Sequence, residues 1–193
     1  PAPKDRARLL LEGSKGRVYD DAHVAGFVAE RAGVEVLGGP YPFMGPTSFL
    51  DGSLLGSRVE RMPTDALVRF LNVYNVNVVV CHSAPCRATI GGLAGARKVG
   101  RDAVVAVFHL DNAPNIALVG SARTIARGAN RLEVEAASTG PIVLRYHWLP
   151  GLRTEPAAKI SGRDVPGAEQ PLIEIADPPE RFVIMLGRST APD

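Results

Sequence analysis

Val76-Asn77-Val78-Val79-Val80-Cys81 is a nearly unbroken apolar run of β-branched residues. Such a run predicts a strand covered on both faces, the position a strand takes inside an α/β layer. The flanking segments extend this reading. Upstream, Pro63-Thr64-Asp65 opens a helix, with Thr64 as the residue that caps the first free amides and Asp65 at the positive end of the helix dipole. Leu67, Phe70, Leu71 and Tyr74 recur at helical spacing and give that helix an apolar face. Downstream, Ala84 to Leu93 predicts a further helix, weakened by Gly91 and Gly92, and Val104 to Phe108 predicts the next strand. Strand, helix and strand in succession imply a parallel pair. Nearer the start, Arg17-Val18-Tyr19 and Val34-Glu35-Val36-Leu37 predict two short strands on either side of a helix over 22–31. Between them and the helix at Thr64 lies 38–63, a long loop rich in glycine, proline and aromatic residues. Loops of this length are usually functional or disordered, and its aromatics favour function.

The character changes after about residue 115. Ile116–Val119, Arg131–Ala137, Ile142–Trp148, Leu172–Ile175 and Phe182–Leu186 all predict strands. Turn-forming stretches separate them, among them Gly128-Ala129-Asn130, Thr139-Gly140-Pro141 and Asp177-Pro178-Pro179. Leu132, Val134 and Ala136 alternate with Arg131, Glu133 and Glu135, the pattern of a strand with one wet face. The expected class is therefore α+β. An N-terminal α/β layer with a short, mostly parallel sheet occupies 1–114, and an antiparallel β-sandwich occupies 115–193.

Composition narrows the function classes. Of 193 residues, 46% are hydrophobic and 22% charged, which suits a packed globular chain rather than a disordered one. The formal charge of +2 argues against nucleic acid as a partner, since a basic patch is wanted there. Arg97-Lys98, with Arg101 nearby, reads as a solvated loop. No apolar run reaches the roughly 18 residues of a membrane helix. The chain begins Pro1-Ala2-Pro3 rather than with methionine, which suggests an excised piece of a longer protein.

No residue pattern names a reaction. Cys81 and Cys86 with the intervening His82 fall short of four zinc ligands, and their spacing is too long for a C-x-x-C redox pair. They are either two partly buried thiols or, in an oxidising compartment, one local disulfide. His82 follows the carboxyl end of a strand, where open α/β sheets tend to bind ligands, although a turn histidine bonding locally fits as well. No G-x-S-x-G elbow surrounds a serine, and Gly91-Gly92 with Gly95 lacks the lysine of a phosphate loop. Trp148, the single tryptophan, can stack on a sugar face or plug a core.

Two stretches carry a resemblance. One runs from Gly38-Gly39-Pro40-Tyr41-Pro42 through Phe49-Leu50-Asp51-Gly52 and Leu55-Gly56 to Tyr74-Asn75-Val76 and its valine strand. The other runs from Asn130-Arg131-Leu132-Glu133-Val134 through Trp148-Leu149-Pro150-Gly151-Leu152 to Phe182-Val183-Ile184-Met185-Leu186. Together they resemble the soluble extracytoplasmic region of bacterial multi-spanning glycosyltransferase-like membrane proteins of the GT-C type. The turn departs from that family's pattern, because its tryptophan stands at 148, ahead of Pro150-Gly151. The W-W-D-Y-G motif of oligosaccharyltransferase catalytic subunits is absent.

The resemblance implies a domain outside the cytoplasm, tethered to the membrane-embedded portion of the same protein. It implies that catalytic carboxylates lie elsewhere, so this piece is expected to be non-catalytic, with neither cofactor nor metal. Its role would be to support the parent or to recognise glycan or a lipid-linked sugar. Tyr41 and Phe43 would stack on a sugar and Asp51 would accept hydroxyl bonds, with His82 and Trp148 as further contacts. Two alternatives stand beside it. One is a free-standing enzyme with a site at His82, Cys86 and the 38–56 loop; the other is a protein-interaction module.

Overall fold

The computed structural model describes residues 17–20, 35–37, 53–54, 57–99, 105–112, 115–128 and 130–187. The helix expected over 22–31 and most of the 38–63 loop lie outside them. The chain divides into two compact units, 1–114 and 115–193.

In the first unit the strands are β1 (Arg17–Asp20), β2 (Glu35–Leu37), β3 (Ser53–Leu54), β4 (Ser57–Arg58), β5 (Val76–Cys81), β6 (Arg97–Val99) and β7 (Ala106–His109). The helices are α1 (Thr64–Val73) and α2 (Ala84–Gly91), and a 3-10 turn spans Val59–Arg61. β3 and β4 form a small hairpin, while the other five strands form one sheet in the order β2-β1-β5-β7-β6.

Every residue of β5 is buried. Its neighbours differ in direction. β1 runs parallel to it, and β2 parallel to β1. β7 runs antiparallel to β5, and β6 antiparallel to β7.

The expected α+β class with a mostly parallel α/β layer is therefore corrected. Among the described residues the protein is mostly β: two short helices stand against fifteen strands. The sheet of the first unit is mixed, and the other two large sheets are antiparallel throughout. The error has a specific origin. The strand that α2 leads into is β6, Arg-Lys-Val, which the sequence offers as a charged loop. β6 runs in the direction of β5 at the sheet's edge, and the chain then returns as β7 between the two. The apolar run expected to lie parallel to β5 is thus the returning arm of a hairpin.

Helix α1 buries Leu67, Phe70, Leu71 and Val73, and the Phe70 and Tyr74 rings stack obliquely with centroids 4.7 Å apart. Each such side chain removed from water contributes about 1.5–3 kcal/mol. Pro63, rather than Thr64, holds the N-cap position, and no side chain caps that end. The helix ends at Val73 with Tyr74 as its C-cap, and Asn75 follows with φ of 50°, in the left-handed region that asparagine tolerates. That single residue turns the chain from α1 directly into β5. Asn77, the polar residue of β5, is buried but bonded: its Nδ2 donates to the Asn112 carbonyl, and Asn112 Nδ2 donates to the Val76 carbonyl at 2.9 Å.

The second unit holds β8 (Ala117–Val119), β9 (Ala122–Gly128), β10 (Arg131–Ala136), β11 (Ile142–His147), β12 (Leu152–Glu155), β13 (Ile160–Arg163), β14 (Leu172–Ile175) and β15 (Arg181–Leu186). They form two antiparallel sheets, β12-β15-β10-β9 and β13-β14-β11-β8. Ala122, Val134, Ala136, Phe182 and Ile184 of the first sheet share one core with Ala117, Ile142, Leu144, Ile173 and Ile175 of the second. Two inner faces meeting in this way make a sandwich. Gly120, between β8 and β9, passes the chain from one sheet to the other with φ of 76°. A Cβ there would lie 2.8 Å from both Ile142 Cγ2 and Ser138 Oγ, so glycine is required on two counts.

On the outer face of the first sheet, Glu135 of β10 lies between Arg123 of β9, at 2.7 Å, and Arg181 of β15, at 3.3 Å. The hydrogen bond from Arg123 first, and that from Arg181, hold the Glu135 carboxyl below its ordinary range against an opposing desolvation effect. No helix among the described residues is long and apolar enough to cross a membrane.

Two outcomes follow for stability. Phe182 is 1% exposed at the centre of the sandwich, and Phe182→Ala is expected to cost about 3–5 kcal/mol. The single tryptophan lies in this unit, so denaturant unfolding followed by its fluorescence measures the loss; an unchanged midpoint would contradict the placement. The depressed Glu135 pKa stabilises the fold above the unfolded carboxylate's pKa, and that contribution is lost as pH falls through the folded value. Glu135→Gln should therefore lose less stability than the wild type on acidification, read as a smaller drop in Tm. The difference will be modest because the ion pairs are exposed.

Candidate functional site

The strand–helix elbow after β5 gathers three of the residues the sequence brings forward in the first unit, Cys81, His82 and Cys86. Cys81, the last residue of β5, is joined by a disulfide to Cys86 of α2, with Cα atoms 5.5 Å apart. Both cysteines are buried, at 0% and 1% exposure. Between them Ser83 caps α2, its Oγ accepting from the Cys86 amide at 3.1 Å. Pro85 sits in the first turn, where its missing N–H costs nothing. Arg87 reaches back from the helix and donates through Nη1 to the His82 carbonyl at 3.0 Å. The arrangement is a cross-linked corner: one covalent bond, one cap and one guanidinium hold the strand's end against the helix's start. With Cys86 in the disulfide, no thiolate is available there for nucleophilic or metal chemistry.

The His82 ring is partly buried in this corner. Tyr41, Phe43 and Asp51 lie outside the described residues. Among the described residues no three His, Cys, Asp or Glu side chains gather closely enough to hold a metal ion.

Trp148 belongs to the second unit. It is half-buried and packs against the sandwich core. Its ring lies over Gly162 of β13: a Cβ on Gly162 would sit 3.1 Å from two ring atoms and 3.0 Å from Pro171 Cβ. The Trp148 amide donates to the Pro171 carbonyl at 2.8 Å. Trp148 is thus a structural plug that closes one side of the core.

Sequence reasoning did not bring out the neighbouring loop. Between β13 and β14, residues Asp164, Val165, Pro166, Ala168, Glu169, Gln170 and Pro171 line an open groove of about 380 Å³. Gly167, at φ of 90°, and the Ala168 amide, donating to the Val165 carbonyl at 3.0 Å, shape its turn. Pro166-Gly167 is a turn signal readable in the sequence; the concavity is not, and Pro171 on its lining is bonded through its carbonyl to the Trp148 amide. The groove offers two carboxylates, one carboxamide and two proline rings, a set suited to hydroxyl-rich ligands.

No family model, no characterised protein and no solved structure matches this chain.

The corner makes a concrete prediction. A six-residue loop closed by a disulfide stabilises its unit by about 2 kcal/mol through the unfolded chain's entropy. Cys86→Ser should lower hydrogen-exchange protection across β5 and α2 by that amount while leaving the Trp148 emission unchanged. Equal protection in the variant and the wild type would show that the bond contributes nothing.

Proposed function

We propose that this chain is a non-catalytic extracytoplasmic domain of a glycosyltransferase-like membrane protein, supporting the parent's membrane-embedded portion and recognising glycan or a lipid-linked sugar. The observation that carries the reading is the Cys81–Cys86 disulfide. Disulfides persist in oxidising compartments and are rare in a reducing cytosol. A bond between two fully buried sulfurs at a structural corner fits a staple made outside the cytoplasm. It also weakens the free-standing enzyme alternative, which relied on Cys86 beside His82.

Support for recognition comes from the β13–β14 groove. Asp164, Glu169 and Gln170 present hydrogen-bonding groups beside the Pro166 and Pro171 rings. Sugars are bound by that pairing of polar groups and flat apolar surface. An open groove formed by a single loop suits weak binding rather than a closed reaction chamber.

Two measurements test the two halves. An alkaline phosphatase reporter placed after Gly187 in the natural protein should be active, and activity only of a cytoplasmic reporter at the same position would sink the location. Titration of the chain with soluble oligosaccharides should perturb Trp148 fluorescence with a Kd on the order of 1 mM, and Asp164→Asn with Gln170→Ala should abolish the change. A flat titration at millimolar sugar would remove the recognition role and leave the supporting one.

A further inference from the structure

Leu149 and Leu186 are the two most exposed large apolar side chains among the described residues, at 51% and 50%. They share one end of the sandwich. Leu149 begins the turn into β12, with the Leu152 amide donating to its carbonyl at 3.2 Å. Leu152 pairs with Leu186, and the Gly187 amide donates to the Gly151 carbonyl at 2.8 Å. The turn and the end of β15 therefore form one apolar tip, at the place where the chain leaves the sheet.

The charges behind this tip are sorted by depth. In the first row of the outer face, Arg131 of β10 and Arg153 of β12 flank Met185 of β15, with the Arg153 guanidinium 3.6 Å from Met185 Sδ. In the next row Glu133 and Glu155 flank Val183 in the same way. Arg131 is ion-paired with Glu133 at 3.7 Å and keeps an exposed side chain. Two residues along a strand span about 7 Å. By backbone position the cations thus stand nearest the leucines, and Glu133 and Glu155 start one row, about 7 Å, further back; the Glu133 carboxylate nevertheless reaches to 3.7 Å of Arg131, while the Arg153 guanidinium lies on Met185.

We propose that this tip docks on an anionic lipid surface, with Leu149 and Leu186 entering the interface and Arg131 and Arg153 meeting headgroup phosphates. Apolar residues rimmed by cations are what an interfacial contact needs, and guanidinium groups match phosphate geometry. An end-on approach to a plane brings the guanidinium row to the headgroups first, and screening over the one-row offset weakens, without removing, the opposition of the carboxylates. The inference rests on the membrane-tethered reading for the presence of a bilayer, and it adds which end of the domain faces it.

Trp148, beside Leu149 and the only tryptophan, is the reporter. The chain is held by a C-terminal histidine tag on vesicles of brominated phosphatidylcholine and a nickel-chelating lipid, with or without phosphatidylglycerol. Trp148 emission should be quenched more strongly when phosphatidylglycerol is present. The extra quenching should disappear in Leu149→Ser/Leu186→Ser and in Arg131→Gln/Arg153→Gln, yet survive in Arg123→Gln, two rows away. Without the tag, vesicle affinity should fall roughly fivefold per arginine removed. Equal quenching in all variants, or none with phosphatidylglycerol, would overturn the proposal. So would dimerisation abolished by the leucine substitutions without quenching, which would assign the tip to a second copy of the chain. The phosphatase reporter does not depend on this face, so a failure here leaves the location standing.

Discussion

A strand can be buried on both faces only if every polar group it carries finds a partner inside the protein, because an unmet backbone or amide group there costs free energy comparable to several apolar contacts. β5 meets that constraint from both edges. β1 satisfies one side of its backbone and β7 the other, and the one polar side chain, Asn77, is matched by Asn112. The elements around it follow from this. α1 must deliver the chain into β5 without a loop, which Asn75 achieves in a single left-handed residue. α2 must leave it at once, which the Ser83 cap and the disulfide secure.

The second unit solves a similar problem with a different economy. In its first sheet the strands are wet on one face, so mainly alternate residues need cover, and the second sheet supplies it; in the second sheet Val143 and Leu172 are buried as well, beside the shared core. The outer face of the first sheet then carries the charge, as in the Arg123–Glu135–Arg181 ladder. β9 accommodates one extra residue near Ile125, which is left exposed where the register with β10 shifts. Such a bulge twists an edge strand and blunts it against pairing with another chain.

The pattern of what the sequence disclosed follows the sheets' geometry. Central strands were legible: β5, β10, β11, β14 and β15 all show continuous or alternating apolarity, because each is covered by neighbours on both sides. The strands that escaped notice, β3, β4, β6, β9, β12 and β13, all stand at the edge of a sheet. An edge has one unpaired flank in water, and sequences such as Arg-Lys-Val or Ile-Ser-Gly-Arg lack the apolar repeat that periodicity detects. Missing β6 was the costly omission, since it left α2 pointing to the wrong strand and made a mixed sheet look parallel. The candidate site was legible only as single residues. The spacing of Cys81 and Cys86 left bonding open, and the groove beside Trp148 depends on a chain reversal between β13 and β14 that no local pattern announces.

The burial of the disulfide has a further consequence. Once the first unit has closed over sulfurs at 0% and 1% exposure, neither a reductant nor an oxidant reaches them without local opening, since exchange demands access of a thiolate to a disulfide sulfur. The pairing is therefore made or broken only in states in which this corner is open, so the rate at which Cys81 and Cys86 answer to their surroundings is set by the opening of the strand–helix elbow.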